Sequence, residues 1–188
     1  SSGKMGIAIA LECADKGANI ELILGPTHLE CKHSNINISR VDSANEMYKV
    51  VSSKFKNSDI SIFAAAVSDY TSIEVAKNKI KKIGDSLTID LSKTTDILSE
   101  MGNRKKDNQF VVGFALEIEN EFENAKLKLE RKNLDMIVLN SLINKGAGFE
   151  HNTNQVTIID KQNNIKNFEL KDKIEVAKDI VQQIIELS

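Results

Sequence analysis

The chain has 188 residues, 41% of them hydrophobic, with 25 lysines and arginines against 27 acids and a net charge of −2. That is enough apolar material for one packed core, and we read residues 1–188 as a single domain. The charge balance supplies no global basic field for nucleic acid or an anionic membrane, so both are excluded as expected partners and any anion site must be built locally. No run approaches the roughly 20 apolar residues of a membrane span, and the charged start SSGKMGIAIALECADKG lacks a secretory core, which predicts a cytoplasmic protein. Cys13 and Cys31 form no CxxC, and the three histidines have no metal spacing.

Met5, Ala8, Ile9 and Cys13 follow a helical period behind Ser1-Ser2-Gly3, and Gly17 closes that run. A strand is expected over 19–24, stopped by Gly25-Pro26, and another over 36–41. Ser43 with Glu46 has the spacing of a capping box opening a helix to about Phe55. The apolar run 59–66 predicts a central parallel strand covered on both faces. Residues 67–86, with their lysine-rich stretch, predict a long functional loop. Then come a strand at 87–91, a short helix at 95–101, a buried strand at 110–116, an amphipathic helix at 120–132 and a strand at 136–139. A polar loop holds Gly146 and Gly148. Strands at 156–160 and 165–170 predict a β-hairpin, and a helix over 173–187 ends the chain.

This alternation predicts a Rossmann-like, doubly wound α/β fold with a mainly parallel sheet, whose ligands lie beyond the carboxyl ends of the strands. The glycine entrance of such a fold follows its first strand. Nothing precedes Ser1, so we expect that strand to be absent and the domain to be truncated at its amino end.

Ser1, Ser2, Gly3, Lys4 and Gly6 surround a helix entrance suited to phosphate, although a serine cap with a glycine turn accounts for them equally. The entrance matches neither the Walker spacing nor GxGxxG, and no acid follows Leu24 to grip an NAD ribose. Ala65 and Ala66 would let a ligand approach the backbone beside Asp69, which is either a ligand contact or a turn cap. Lysines 77–82 are a solvated surface run or a phosphate clamp. Thr94, Thr95, Asp96 and Ile97 form a second helix entrance, with the threonine hydroxyls as caps. Lys128 and Lys132 lie one turn apart, a repulsive spacing that Glu123 and Glu130 would partly relieve.

In this order SSGKMG, AAVSDY, KNKIKK, TTDIL, GFALE, KLERKNLD and GFEHNTN resemble the phosphopantothenoylcysteine synthetase family over nearly the whole chain. The resemblance implies CTP-dependent joining of 4′-phosphopantothenate to cysteine through an acyl-cytidylate, with CTP as co-substrate and Mg²⁺ as cofactor. It places Asp69 at the nucleotide and Lys79 as the catalytic cation. Thr94, Thr95, Asp96, Ile97 and Phe114 would line the cytidine pocket, and Lys128 and Lys132 would balance the triphosphate. The glycine entrance, with Ala65 and Ala66, would hold phosphate of the substrate or of the intermediate. The resemblance further implies a homodimer and a decarboxylase as pathway partner. The metal ligands are left unassigned. An asparagine that the family carries just before SSGKMG lies outside this sequence, and Ile118 stands where the family often has threonine. Two other readings compete: an NAD(P)-binding reductase and a nucleotide-binding module without turnover.

Overall fold

The computed structural model describes residues 2–76, 78–81, 86–117, 119–141 and 152–188. Gly3, at φ 82°, turns the chain into α1 (Lys4–Asp15), and Gly17, at φ 91°, turns it out again. These are the positions where a residue without Cβ is favoured. The parallel strands β1 (Ile20–Leu24) and β2 (Ile36–Arg40) pair in register from Ile20↔Ile36 to Leu24↔Arg40. α2 (Ala44–Phe55) begins at the expected cap: Glu46 N–H donates to Ser43 Oγ at 3.2 Å, and the Glu46 carboxylate accepts from Asp42 N–H at 2.9 Å.

β3 (Ile60–Phe63) leads into β4 (Tyr70–Ser72), which pairs antiparallel with β5 (Leu91–Lys93) as a separate two-stranded arm. α3 (Ile97–Arg104), β6 (Phe110–Glu117), α4 (Glu121–Arg131) and β7 (Met136–Ser141) follow in α/β order. β8 (Thr153–Asn154), β9 (Val156–Asp160), β10 (Ile165–Asn167), β11 (Lys171–Asp172) and α5 (Lys173–Leu187) complete the chain. The β9–β10 hairpin forms, its second strand ending at Asn167 instead of 170, and its turn is held by Asp160 Oδ1, which accepts from the N–H groups of Gln162 and Asn164.

The main sheet has the order β10-β9-β7-β6-β3, parallel across β3, β6 and β7 and antiparallel at β9 and β10. Its period-two alternation divides the core into two layers. Val112, Met136, Val138, Val156 and Ile158 pack with Val176 and Ile180 of α5 and Ile9 of α1. Val111, Ala115, Ile137, Leu139 and Ile159 pack with Phe55, Met101, Ala125 and Leu129 from α2, α3 and α4. Helices on both faces are the predicted doubly wound arrangement.

Several expectations are corrected. β3 is four residues long, and Ile60 is 41% exposed, because among the described residues β3 has a strand partner on one side only instead of lying centrally. β1 likewise has β2 as its one described partner, so no described strand joins the two sheets. Strand pairing reaches Leu91–Lys93 rather than 87–91, because the register partner of Leu91 is Ser72. The expected loop contains β4. Gly146 and Gly148 lie outside the described residues. No helix among the described residues is long and apolar enough to cross a membrane.

Candidate functional site

Parallel α/β winding puts the carboxyl end of each strand beside the amino end of the next helix, so ligand groups from separate elements gather there. The arm returns to this edge through two bonds. Thr94 N–H donates to the carbonyl of Asp69 at 2.9 Å, and Thr94 Oγ1 donates to the carbonyl of Ser68 at 2.6 Å. With the Thr94 hydroxyl occupied in this way, Asp96 caps α3, accepting Ser99 N–H at 3.0 Å. The expected threonine caps are thus replaced by the acid behind them.

Cα–Cβ bonds of a helix tilt toward its amino end, and in α4 that end lies at the carboxyl end of β6. Lys128 and Lys132, in its last turn and at its C-cap, therefore reach back toward the strand ends. Lys132 Nζ sits 2.9 Å from Asp96 Oδ2 and 3.1 Å from Oδ1. Lys128 Nζ forms an ion pair with Glu117 Oε1, a buried oxygen, at 2.5 Å. The two lysines are relieved across elements, not by Glu123 and Glu130 as expected, because these two carboxylates lie where the lysine side chains lead. Burial raises the Asp96 pKa, but hydrogen bonds from Lys132 and Ser99 and the lysine charges outweigh it and hold the carboxyl below its ordinary value.

Asp69, Ala65, Ala66, Thr95 and Lys79 are exposed, and Ile97 is buried under α3. Lys79 makes no ion pair with a described residue. Phe114 is half-buried and packs with the α1/α5 layer, on the opposite sheet face from the lysines. Ser1 lies outside the described residues. The Ser2 carbonyl accepts from Thr27 Oγ1 at 2.9 Å, Gly3 is left-handed, and Gly6 has open space above its Cα. Lys4 is engaged away from the entrance, donating to Asn152 Oδ1 at 2.8 Å.

Sequence reasoning missed three features. Glu117 ends an otherwise apolar strand, and its signals in the sequence are that placement and its position at the end of GFALE. Gly102 gives α3 its close seat on the end of α4, where Asn133 Nδ2 donates to the Gly102 carbonyl at 2.9 Å. A cavity of about 360 Å³ opens at the carboxyl ends of β1 and β2, lined by Thr27, His28, Arg40 and Asp42 among others. Among the described residues no three His, Cys, Asp or Glu side chains gather to hold a metal.

The family model described as "DNA/pantothenate metabolism flavoprotein C-terminal domain" matches residues 1–187. A "Cysteine/Cysteine sulfinic acid decarboxylase" from an unknown prokaryotic organism is 52% identical over all of this chain and 52% of its own length. The "Coenzyme A biosynthesis bifunctional protein CoaBC" of Haemophilus influenzae is 46% identical over 99% of this chain and 46% of its own. This chain thus spans about half the length of those curated relatives. A crystal structure of the C-terminal domain of CoaBC superposes with a TM-score of 0.81 at 36% identity, covering 98% of this chain and 82% of that one. The match along nearly the full length and the shared fold place this chain in the DNA/pantothenate metabolism flavoprotein C-terminal domain family.

Proposed function

We propose that this domain joins 4′-phosphopantothenate to cysteine at the expense of CTP. The observation that supports the reading most is the gathering of Asp69, Thr94, Asp96, Lys132, Glu117 and Lys128 at one sheet edge. The name of the 46% identical relative, a coenzyme A biosynthesis protein, supports the same chemistry. The decarboxylase name belongs to a relative of which this chain spans 52%, and the cationic groups collected here serve phosphoryl transfer instead.

The two reactants repel each other, so the site must first neutralise them. The pantothenate carboxylate attacks the α-phosphorus of CTP, forming an acyl–phosphate bond as pyrophosphate leaves. The cysteine amine then attacks the acyl carbon, the amide forms, the amine proton is lost and CMP departs. Lys128 and Lys132 balance the triphosphate, exposed Lys79 meets the charge growing at the α-phosphate, and Asp69 and the 94–97 turn receive the nucleoside. The phosphopantothenate lies along the Ser2–Gly6 entrance, with Ala65 and Ala66 leaving room, and extends toward the cavity at Thr27. Mg²⁺ bound with the triphosphate would shield its charge, and the exposed carboxylate of Asp69 fits a cation that takes one or two carboxylates besides phosphate oxygens.

The protein acts as a homodimer in the cytoplasm, beside a decarboxylase that consumes its product. Tyr70, Ile73, Val75, Leu87, Ile89 and Leu91 on and around the arm are all more than half exposed, an apolar surface that a second copy would cover. A reducing compartment suits the free thiols of Cys13 and Cys31.

Pyrophosphate release from CTP and phosphopantothenate, with and without cysteine, tests the reading. Lys79→Ala is expected to abolish release and leave the melting temperature unchanged. Undiminished release in that variant removes Lys79 from the mechanism, and no release from the unaltered protein refutes the synthetase reading.

A further inference from the structure

Lys128 and Lys132 do not present free charge. Each ammonium touches a carboxylate from another element: Glu117, whose side chain is 14% exposed, and Asp96, which is fixed by its capping bond. The two ion pairs are each neutral, and Lys93 adds one further positive charge near Asp96. An arriving anion therefore gains only what it offers beyond the carboxylates it competes with.

We propose that Glu117 and Asp96 are built-in counter-ions that make the lysine pair select a triphosphate over a monophosphate. A nucleoside triphosphate brings roughly four negative charges and a monophosphate about two. The first outcompetes two carboxylates for two ammonium groups, whereas the second merely replaces them. The consequence for turnover is direct: the triphosphate is held while it is intact, and the monophosphate formed in the reaction loses its grip on α4. Glu117 and Asp96 are positioning residues in this scheme, acting through the lysines and not on the reacting atoms. This inference rests on the nucleotide reading above.

The test is calorimetric titration with CTP, CMP, tripolyphosphate and orthophosphate. Glu117→Gln and Asp96→Asn remove one charge each while keeping shape and, at 96, the capping ability. In each variant CMP is expected to bind up to about fivefold more tightly, the measure of a partly exposed ion pair, while CTP changes less, so the CTP-to-CMP affinity ratio falls. An unchanged or larger ratio in a variant that melts like the parent overturns the proposal. Lys128→Met supplies the complementary test if the acid variants fail to fold. It should weaken CTP more than CMP, and an equal loss for both ligands also overturns the proposal. If the unaltered protein binds tripolyphosphate but not CTP, the nucleotide reading fails while the selectivity is still decided by tripolyphosphate against orthophosphate. Binding of neither rejects both.

Discussion

A Cβ on Gly102 would overlap the carbonyl oxygen of Lys132, so the backbone of α3 rests directly on the end of α4. The same lysine sends its ammonium along α3 to Asp96 at the other end of that helix. One residue thus uses its carbonyl to set the spacing of two helices and its side chain to join their ligand-bearing ends.

Gly102→Ala must push the helices apart, since the atom in the way is backbone and cannot rotate aside. The expected cost is about 2 kcal/mol of overpacking, read by denaturant unfolding, together with weaker CTP binding as the displaced end of α4 carries the Lys132 ammonium away from the strand ends. Parental stability and affinity would mean that α3 is not held as described.

The Asp96–Lys132 pair has a defined pH signature. With its folded pKa depressed by Lys132 and Ser99, Asp96 contributes stability that is complete above its unfolded value of about 3.9 and is lost as pH falls through the lower folded value. Carboxyl NMR titration should find Asp96 below its ordinary range, and Lys132→Met should move it upward. No movement would show that the ion pair does not form in solution.

At the opposite edge of the sheet, Asp135 is 5% exposed and accepts from Val111 N–H and Lys105 Nζ at 2.8 Å each, with Lys161 Nζ at 3.3 Å. Asp135→Ala leaves the largely buried Lys105 without its anion and should cost about 3 kcal/mol. Because the change lies away from the proposed nucleotide site, CTP affinity of the folded fraction should hold. A loss below 1 kcal/mol by denaturant unfolding would argue that Lys105 finds water instead.

If the arm joins two copies, the paired substitution Leu87→Lys and Ile89→Glu should yield a monomer by sedimentation while the fold is kept. The two residues alternate with Thr88 and Asp90, the pattern of a strand with one apolar face, yet both are at least 60% exposed in the single chain. A parent that sediments as a monomer removes the dimer.

What the sequence made legible were features whose cause is local. Ser43 and Glu46 lie three residues apart and cap the helix they announce. The alternation from Val156 to Asp160 and the turn after it form the expected hairpin, and Gly17 stops α1 where the apolar period ends. Features set by partners distant in sequence were not legible. The 59–66 run reads as a central strand because composition records apolarity and not the number of strand neighbours: Ile62 and Phe63 do pack on opposite faces of the sheet, yet β3 has one strand partner among the described residues. Asp96 displaced the threonines as cap because Thr94 is spent on Ser68, 26 residues away. Lys132 meets Asp96 across 36 residues, a distance over which helical spacing carries no information, so nearby glutamates seemed the natural partners. The residue types of the proposed nucleotide site were readable; the pairing that neutralises them was not.

Titration of the unaltered protein with CTP, ATP and NADPH, beside Lys128→Met/Lys132→Met, tests the central claim most directly. The account predicts heat from CTP that exceeds that from ATP, disappears in the double variant and has no counterpart with NADPH. Saturable NADPH binding without CTP heat, or CTP binding unchanged in the double variant, would contradict it.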